Sequence, residues 1–205
     1  MNTWWKKILM AWLVLFALSS TANAGFLFEP YVGYNTDLKG EWEEWENTPE
    51  KKFSWNTYQV GGRLGWIFKW IGIGVEFDWM QPKVKWEDID DEQKISMSDI
   101  GAFLGLYLGR RGQWIIRGKY LFVSTAKSDF NPAGASVPAT WEYKGSGWGV
   151  GFGYRFFNWL ALNLDWTQKT YDELSGDKNV PKWNVGDLLV SISLPFEFPS
   201  RSSRR

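Results

Sequence analysis

The sequence predicts an all-β protein, an eight-stranded antiparallel up-and-down transmembrane β-barrel with short periplasmic turns and long extracellular loops. Three observations predict it. The first is strict alternation between Trp141 and Phe157, where Trp148, Val150, Phe152, Tyr154 and Phe156 share one face and Gly147, Gly149, Gly151, Gly153 and Arg155 share the other. Successive strand side chains point to opposite faces, so this stretch has a bulky apolar side and a nearly empty one. A soluble sheet would bury the bulk and show water a face without polar side chains. A membrane barrel places the bulk in lipid, and its lumen-side glycines make room for long side chains from strands opposite.

The second observation is the number of such segments after Gly25. They span approximately 26–35, 55–67, 71–80, 97–108, 114–123, 141–156, 160–170 and 185–198. Eight is even, as a closed antiparallel barrel requires. The third is the rhythm of the connections: long (36–54), short (68–70), long (81–96), short (109–113), long (124–140), short (157–159) and long (171–184). Short turns on one rim and long loops on the other describe an outer-membrane barrel with both ends in the periplasm.

Taken in order, the chain opens with Lys6 and Lys7, an apolar run from Ile8 to Leu18, and small residues ending in Ala22-Asn23-Ala24. A basic start, a short apolar stretch and a small-residue cleavage site make a secretory signal over residues 1–24. The run is well short of the roughly 20 residues a helical span needs. The barrel is expected over 25–198, followed by a basic periplasmic tail over 199–205 carrying Arg201, Arg204 and Arg205.

The two faces of the strands separate cleanly. The bulky parity collects Phe28, Val32, Tyr58, Val60, Leu64, Val75, Phe77, Leu104, Ile116, Leu164 and Ile192 among others, without a charge. The opposite parity collects Glu29, Arg63, Glu76, Asp78, Asp99, Arg117, Lys119, Arg155, Asp165 and Lys169, with Gln59, Tyr107, Asn163, Asp187, Ser191 and Ser193. A soluble lipocalin-type barrel would need that second set as its dry core, at several kcal/mol for each unpaired buried charge. A membrane barrel lines its lumen with the same set in mutual pairs. Eight strands enclose only enough room for side chains. Glu29, Arg63, Glu76, Asp78, Asp99, Arg117, Lys119, Arg155 and Asp165 are therefore expected to form a charge network that plugs the lumen.

Composition narrows the function classes. The 205 residues include 16 Trp, and 23 basic residues balance 23 acidic ones, so there is no global field of the kind that marks nucleic-acid binders. Neither Cys nor His is present. That excludes disulfides, thiolate chemistry and acylation of a lipoprotein cysteine, and argues against Ser-His triads and the usual zinc sites. No cofactor, metal or catalytic residue is expected. Carboxylate pairs such as Glu76 and Asp78 suit glycosidic acid-base work in principle, but a plugged lumen admits no substrate.

The long loops carry the individuality. The first packs Trp42 and Trp45 among Glu41, Glu43, Glu44 and Glu46, and the second sets Trp86 beside Glu87, Asp88, Asp90, Asp91 and Glu92. Trp42, Trp45 and Trp86 are the candidates for gripping a surface protein or glycan; plain solvated hairpin extension is the competing reading. Acidic clusters also suit divalent-cation bridging to lipopolysaccharide, since Ca²⁺ takes oxygen ligands, although no EF-hand spacing occurs. Aromatics near the strand ends should form two interfacial belts, with Trp66, Trp70, Trp114, Phe156, Phe157 and Trp159 toward the periplasm and Tyr34, Trp79, Phe122 and Trp166 outside.

The opening FLFEPYVGY, the Gly-aromatic strand GWGVGFGYRF and the closing VSISLPFEF resemble the small outer-membrane barrels of the OmpA and OmpX type, over nearly all of the mature chain. The resemblance implies a monomer in the outer membrane of a Gram-negative bacterium, inserted by the outer-membrane assembly machinery and in contact with lipopolysaccharide. The family usually ends on an aromatic residue; here PSRSSRR follows Phe198, so Phe196 and Phe198 are expected to supply the signal internally. Its members suggest a structural, envelope-stabilising or adhesive role. A narrow channel for small solutes or protons and a lipid-modifying enzyme are the alternatives.

Overall fold

A computed structural model of the protein describes residues 24–42, 52–86, 89–109, 112–130, 139–177 and 182–199. The expected signal segment up to Asn23 and the tail from Ser200 onward lie outside the described residues. Ten strands follow in order: β1 (Ala24–Trp42), β2 (Lys52–Phe68), β3 (Ile71–Met80), β4 (Lys83–Trp86), β5 (Ile89–Leu108), β6 (Trp114–Phe130), β7 (Ala139–Phe157), β8 (Leu160–Leu174), β9 (Trp183–Ser193) and β10 (Phe196–Pro199). They make eight staves, because β4 prolongs β3 beyond Gln81 and Pro82, and β10 prolongs β9 beyond Leu194 and Pro195. Each stave pairs antiparallel with the next, and β1 closes the ring on β9 and β10.

The interruption between β9 and β10 has a local cause. Between the pairs Tyr31↔Ser193 and Phe28↔Phe196 lie Pro30 on one strand and Pro195 on the other, and neither residue has an N–H to give the ladder. Leu194 N still donates to Pro30 O at 3.0 Å, which holds the seam.

The ring closes with a stagger. A row of paired residues leaves β1 at Ala24, passes through Phe68, Ile71, Leu106, Ile116, Phe152, Leu164 and Val190, and returns to β1 at Tyr34. Strands of such a sheet must tilt, and a row that crosses them climbs away from the periplasmic rim on its way round.

The outer face is apolar throughout the middle of the barrel. Val32 and Ile192 are each 53% exposed to the surroundings, whereas Arg63 and Glu29 on the inner face are 0% exposed. This inverts a water-soluble protein, and only a hydrocarbon environment makes such an outer surface stable. Every residue expected in the two aromatic belts is exposed on the outside, with pairs such as Tyr34–Tyr58 and Trp148–Trp166 in edge-to-face contact at 5.1 and 4.9 Å.

The strands run further outward than the hydrophobic alternation predicts. The ladder continues to Trp42 on β1, from Ile89 on β5, to Phe130 on β6, from Ala139 on β7 and to Leu174 on β8, so much of what reads as loop is paired hairpin. Backbone pairing outlasts the apolar pattern because strand extensions beyond the lipid have no reason to keep one face greasy. A bulge at Phe122 and Val123 turns both residues outward and switches the parity of β6, which brings Ser124, Ala126 and Ser128 inside.

Candidate functional site

The lumen is a stack of four layers, each assembled from several strands. Nearest the periplasmic turns, Leu27, Ile67, Phe103, Tyr107 and Ile115 form an apolar floor. At the extracellular end, Met80, Ile95, Met97, Ala126, Tyr143, Tyr171, Trp183 and Val185 form an apolar lid, in which Trp183 stacks on Tyr171 at 4.8 Å and meets Tyr143 edge-on at 5.4 Å. Between floor and lid lie two charged layers.

The lower charged layer is organised by two arginines. Arg63 Nε donates to Glu76, Nη1 to Glu29 at 3.2 Å and Nη2 to Asp165 at 3.3 Å, so one guanidinium ties together carboxylates from three other strands. Its Cζ lies 4.3 Å from the centre of the Tyr31 ring. Arg117 Nη1 reaches both oxygens of Glu29 at 3.2 and 3.3 Å, and Nη2 donates to Asn163 Oδ1 at 2.5 Å. Ser193 completes the set: Asn163 Nδ2 donates to its Oγ at 2.9 Å, and that hydroxyl donates to Glu29 at 2.7 Å. The planar five-donor fork suits this many-partner task, which a lysine cannot perform.

The upper charged layer uses lysines. Lys119 bridges the layers, 2.7 Å from Glu76 and 3.6 Å from Asp78. Lys169 lies 2.6 Å from Asp99 and 3.2 Å from Asp187, while Ser124 donates to Asp99 and stands 3.1 Å from the Tyr171 hydroxyl. Asp78 faces Asp99 directly across the β3–β5 ladder, and neither of its carboxylate oxygens accepts a hydrogen bond within the protein.

The structure thus gathers Glu29, Arg63, Glu76, Asp78, Asp99, Arg117, Lys119 and Asp165 into one buried cluster, joined by Lys169 and Asp187. Arg155 stands apart. It sits below the floor, where it pairs with Glu197 of β10 and lies 5.7 Å from the Tyr107 ring centre. Glu197 was missed by sequence reasoning, because it belongs to the short strand past Pro195 and is itself partly exposed. The lumen glycines of β7 also play a slightly different part from the one expected. They accommodate neighbours on the flanking strands: a Cβ on Gly149 would approach Lys119 Cε to 2.9 Å and one on Gly153 would approach Asn163 Oδ1 to 2.5 Å, while Gly151 meets Asp165. The space is taken from β6 and β8 rather than from strands opposite.

Of the loop candidates, Trp45 lies outside the described residues, and only the backbone of Trp42 and Trp86 is described; Trp42 pairs with Trp183 and Trp86 with Ile89. Among the described residues no group of three or more acidic side chains is arranged to hold a metal ion.

No family model matches the sequence, and no curated protein resembles it in sequence. The fold, by contrast, has clear counterparts. Ail, the attachment invasion locus protein of Yersinia pestis, crystallised with the heparin analogue sucrose octasulfate, superposes with a TM-score of 0.55 at 12% identity, over 84% of this chain and 99% of Ail. Neisserial surface protein A superposes with a TM-score of 0.53 at 14% identity, over 84% of this chain and 99% of that one. The chain has the fold of the small eight-stranded outer-membrane β-barrels of Gram-negative bacteria.

Proposed function

We propose that the protein is a sealed barrel that stabilises the outer membrane and displays its acidic, aromatic loops at the cell surface. The single observation that carries this reading is the layering of the lumen. Charged side chains are enclosed between an apolar floor and an apolar lid, so neither an ion nor a substrate has a wetted route to the carboxylates. The interior acids and bases serve packing and register rather than turnover or transport. The same enclosure argues against hydrolysis, since a general acid must reach the atom it protonates.

The display half of the reading rests on the loops. The four long connections hold 15 acidic against 9 basic residues, with Trp42, Trp45 and Trp86 set among the acids. Ail is named for attachment and its complex contains a sulfated, anionic ligand. Loops of the present charge suit a cationic or neutral protein or glycan instead, because like charges repel at a docking face.

Two experiments test the halves separately. In planar bilayers the wild-type barrel, Arg63→Ala and Glu76→Ala should all leave conductance at the level of the bare membrane. A unit conductance that either substitution raises would favour the narrow channel. On expressing cells, deleting residues 36–54 and 81–96 should reduce adhesion; unchanged adhesion would leave only the structural role. Absence of turnover of labelled lipopolysaccharide by the purified barrel is expected, and turnover would establish the lipid-modifying alternative.

A further inference from the structure

Beside the turn that joins β7 to β8, the periplasmic rim holds a cavity of about 270 Å³ lined by Gln113, Arg155, Phe156, Phe157, Asn158 and Trp159. It belongs neither to the sealed lumen nor to the extracellular loops. The backbone beside it is irregular: Arg155 pairs with Ala161 and Phe157 with Leu160, which leaves Phe156 as an extra residue in the β7–β8 ladder. A bulge of this kind bends the strand and re-aims its side chains. Here Arg155 is buried while Phe156 and Phe157 are both exposed, and Phe157 stacks on Trp159 at 5.6 Å across the turn.

Two bonds fix Arg155. Its backbone N donates to Gln113 O at 2.7 Å, and its Nη1 donates to Glu197. Nε and Nη2 have no hydrogen-bond partner within the protein, although Arg155 is only 6% exposed. Leaving buried donors unmet is costly. These two nitrogens share one side of the planar guanidinium, opposite the side on which Nη1 faces Cδ. Their N–H bonds run parallel there, in the fork that takes both oxygens of a carboxylate at once. Glu197 engages Nη1 and leaves that edge without an acceptor.

The remaining lining indicates what accompanies the carboxylate. Arg155 is the one charged lining residue and already faces Glu197, so a single negative charge fits better than a phosphate dianion. Gln113 and Asn158 each carry a carboxamide, which both donates to and accepts from a peptide group. Phe156, Phe157 and Trp159, each more than half exposed, supply apolar walls whose side chains are free to reorient around a ligand. The cavity is too small for a folded partner and suits the end of a chain of small residues.

We propose that this cavity binds the C-terminal carboxylate of a small-residue peptide presented in the periplasm. The Nε/Nη2 edge of Arg155 takes the carboxylate, and the carboxamides of Gln113 and Asn158 pair with the last peptide group. Capture of a chain end by its carboxylate is a recurrent mode of peptide recognition. Two sources share this chemistry, the free end of a protein and a D-amino-acid peptide of the cell wall, and they differ in chirality. The proposal rests on the outer-membrane placement with the short turns toward the periplasm, and adds a ligand class on that side.

The test follows the side-chain NMR signals of Gln113, Asn158 and Trp159 in the full mature barrel, folded in an uncharged detergent, as N-acetyl-Ala-Ala is added. The signals should shift saturably. The C-terminally amidated peptide should bind roughly tenfold more weakly or worse, the scale of losing a hydrogen bond to a charged group. Arg155→Gln should show the same loss. Arg155→Lys keeps the charge without the fork and should also lose most of the affinity. Lys69→Gln, in the β2–β3 turn, should bind as wild type. Running the titration with the all-L and the all-D peptide assigns the source to the better binder, and the site stands with either. Absence of a saturable shift, equal binding of the carboxylate and amide forms, or undiminished binding by Arg155→Gln or Arg155→Lys would each overturn the proposal. So would tighter binding of inorganic phosphate or of a short-chain phosphatidylglycerol at the same signals, which would reassign the cavity to a phosphate or a lipid headgroup. A heat-modifiable shift on SDS gels, read on every sample, reports the closed barrel itself, so its absence in wild type would reject the barrel placement rather than the site.

Discussion

The two charged layers of the lumen solve the same problem with different cations, and the comparison shows what each cation can do in a dry space. In the lower layer Arg63 divides its three nitrogens among Glu76, Glu29 and Asp165, and Arg117 adds a second fork onto Glu29. In the upper layer Lys169 and Lys119 act as point charges, and Asp78 is left with a 3.6 Å contact to Lys119 and no hydrogen bond. Burying ions is costly and is repaid only where geometry is good and lone pairs are filled. The lower layer meets that condition except at Arg117 Nε, which finds no acceptor; the upper layer meets it around Asp99 and misses it at both oxygens of Asp78 and at Asp187 Oδ2.

The sharpest way to break this contrast is Arg63→Ala. Three carboxylates lose a donor at once while staying fully enclosed, so stability measured by denaturant-driven release from lipid vesicles should fall by about 3–5 kcal/mol. A loss below about 1 kcal/mol would mean that the lower layer is not what holds the staves in register. Lys169→Ala is the matching test above. Asp99 keeps Ser124 as a donor, so the expected loss is smaller, about 1.5–3 kcal/mol, the range for hydrogen bonds to charged groups. Equal losses in the two variants would erase the distinction between fork and point charge.

Much of this contrast was legible in the sequence and part of it was not, for reasons that lie in the chain itself. The inner positions of Glu29, Arg63, Glu76 and Asp165 follow from a period of two that the lipid enforces on the opposite face. Partnership does not follow. Glu29 meets Arg117 across 88 residues and Ser193 across 164, pairings set by the stagger of the ring, which no local pattern encodes. The lid was hidden for a second reason. Tyr171 and Trp183 lie where the apolar alternation has ended and the ladder has not, so they read as loop although they close the lumen. The bulge at Phe122 and Val123 conceals Ser124 in the same way, by shifting parity just where β6 leaves the lipid.

Arg155 offers a third point on the same scale. Arg155 is itself buried, but its partner Glu197 is 39% exposed at the periplasmic rim, so water screens the pair from one side and its contribution should lie near the ~0–1 kcal/mol of exposed pairs. Arg155→Gln should therefore cost no more than that in the vesicle assay, and raising the ionic strength should shrink the difference further. A cost comparable with that of Arg63→Ala would show that the rim is as dry as the lumen.

The smallest effect, and the one of opposite sign, is expected at Asp78. Asp78→Asn removes a charge that faces Asp99 directly across the ladder, where like charges destabilise a sheet. The amide brings an N–H₂ group within the same pair, able to donate to Asp99, at the loss only of the long Lys119 contact. Lys119 keeps Glu76 at 2.7 Å, so no cation is orphaned. Stability should hold or rise by up to about 1 kcal/mol. A loss of 2 kcal/mol or more, on the scale of breaking a hydrogen bond to a charged group, would show that Asp78 anchors Lys119 as tightly as Glu76 does, and the upper layer would then be as well satisfied as the lower.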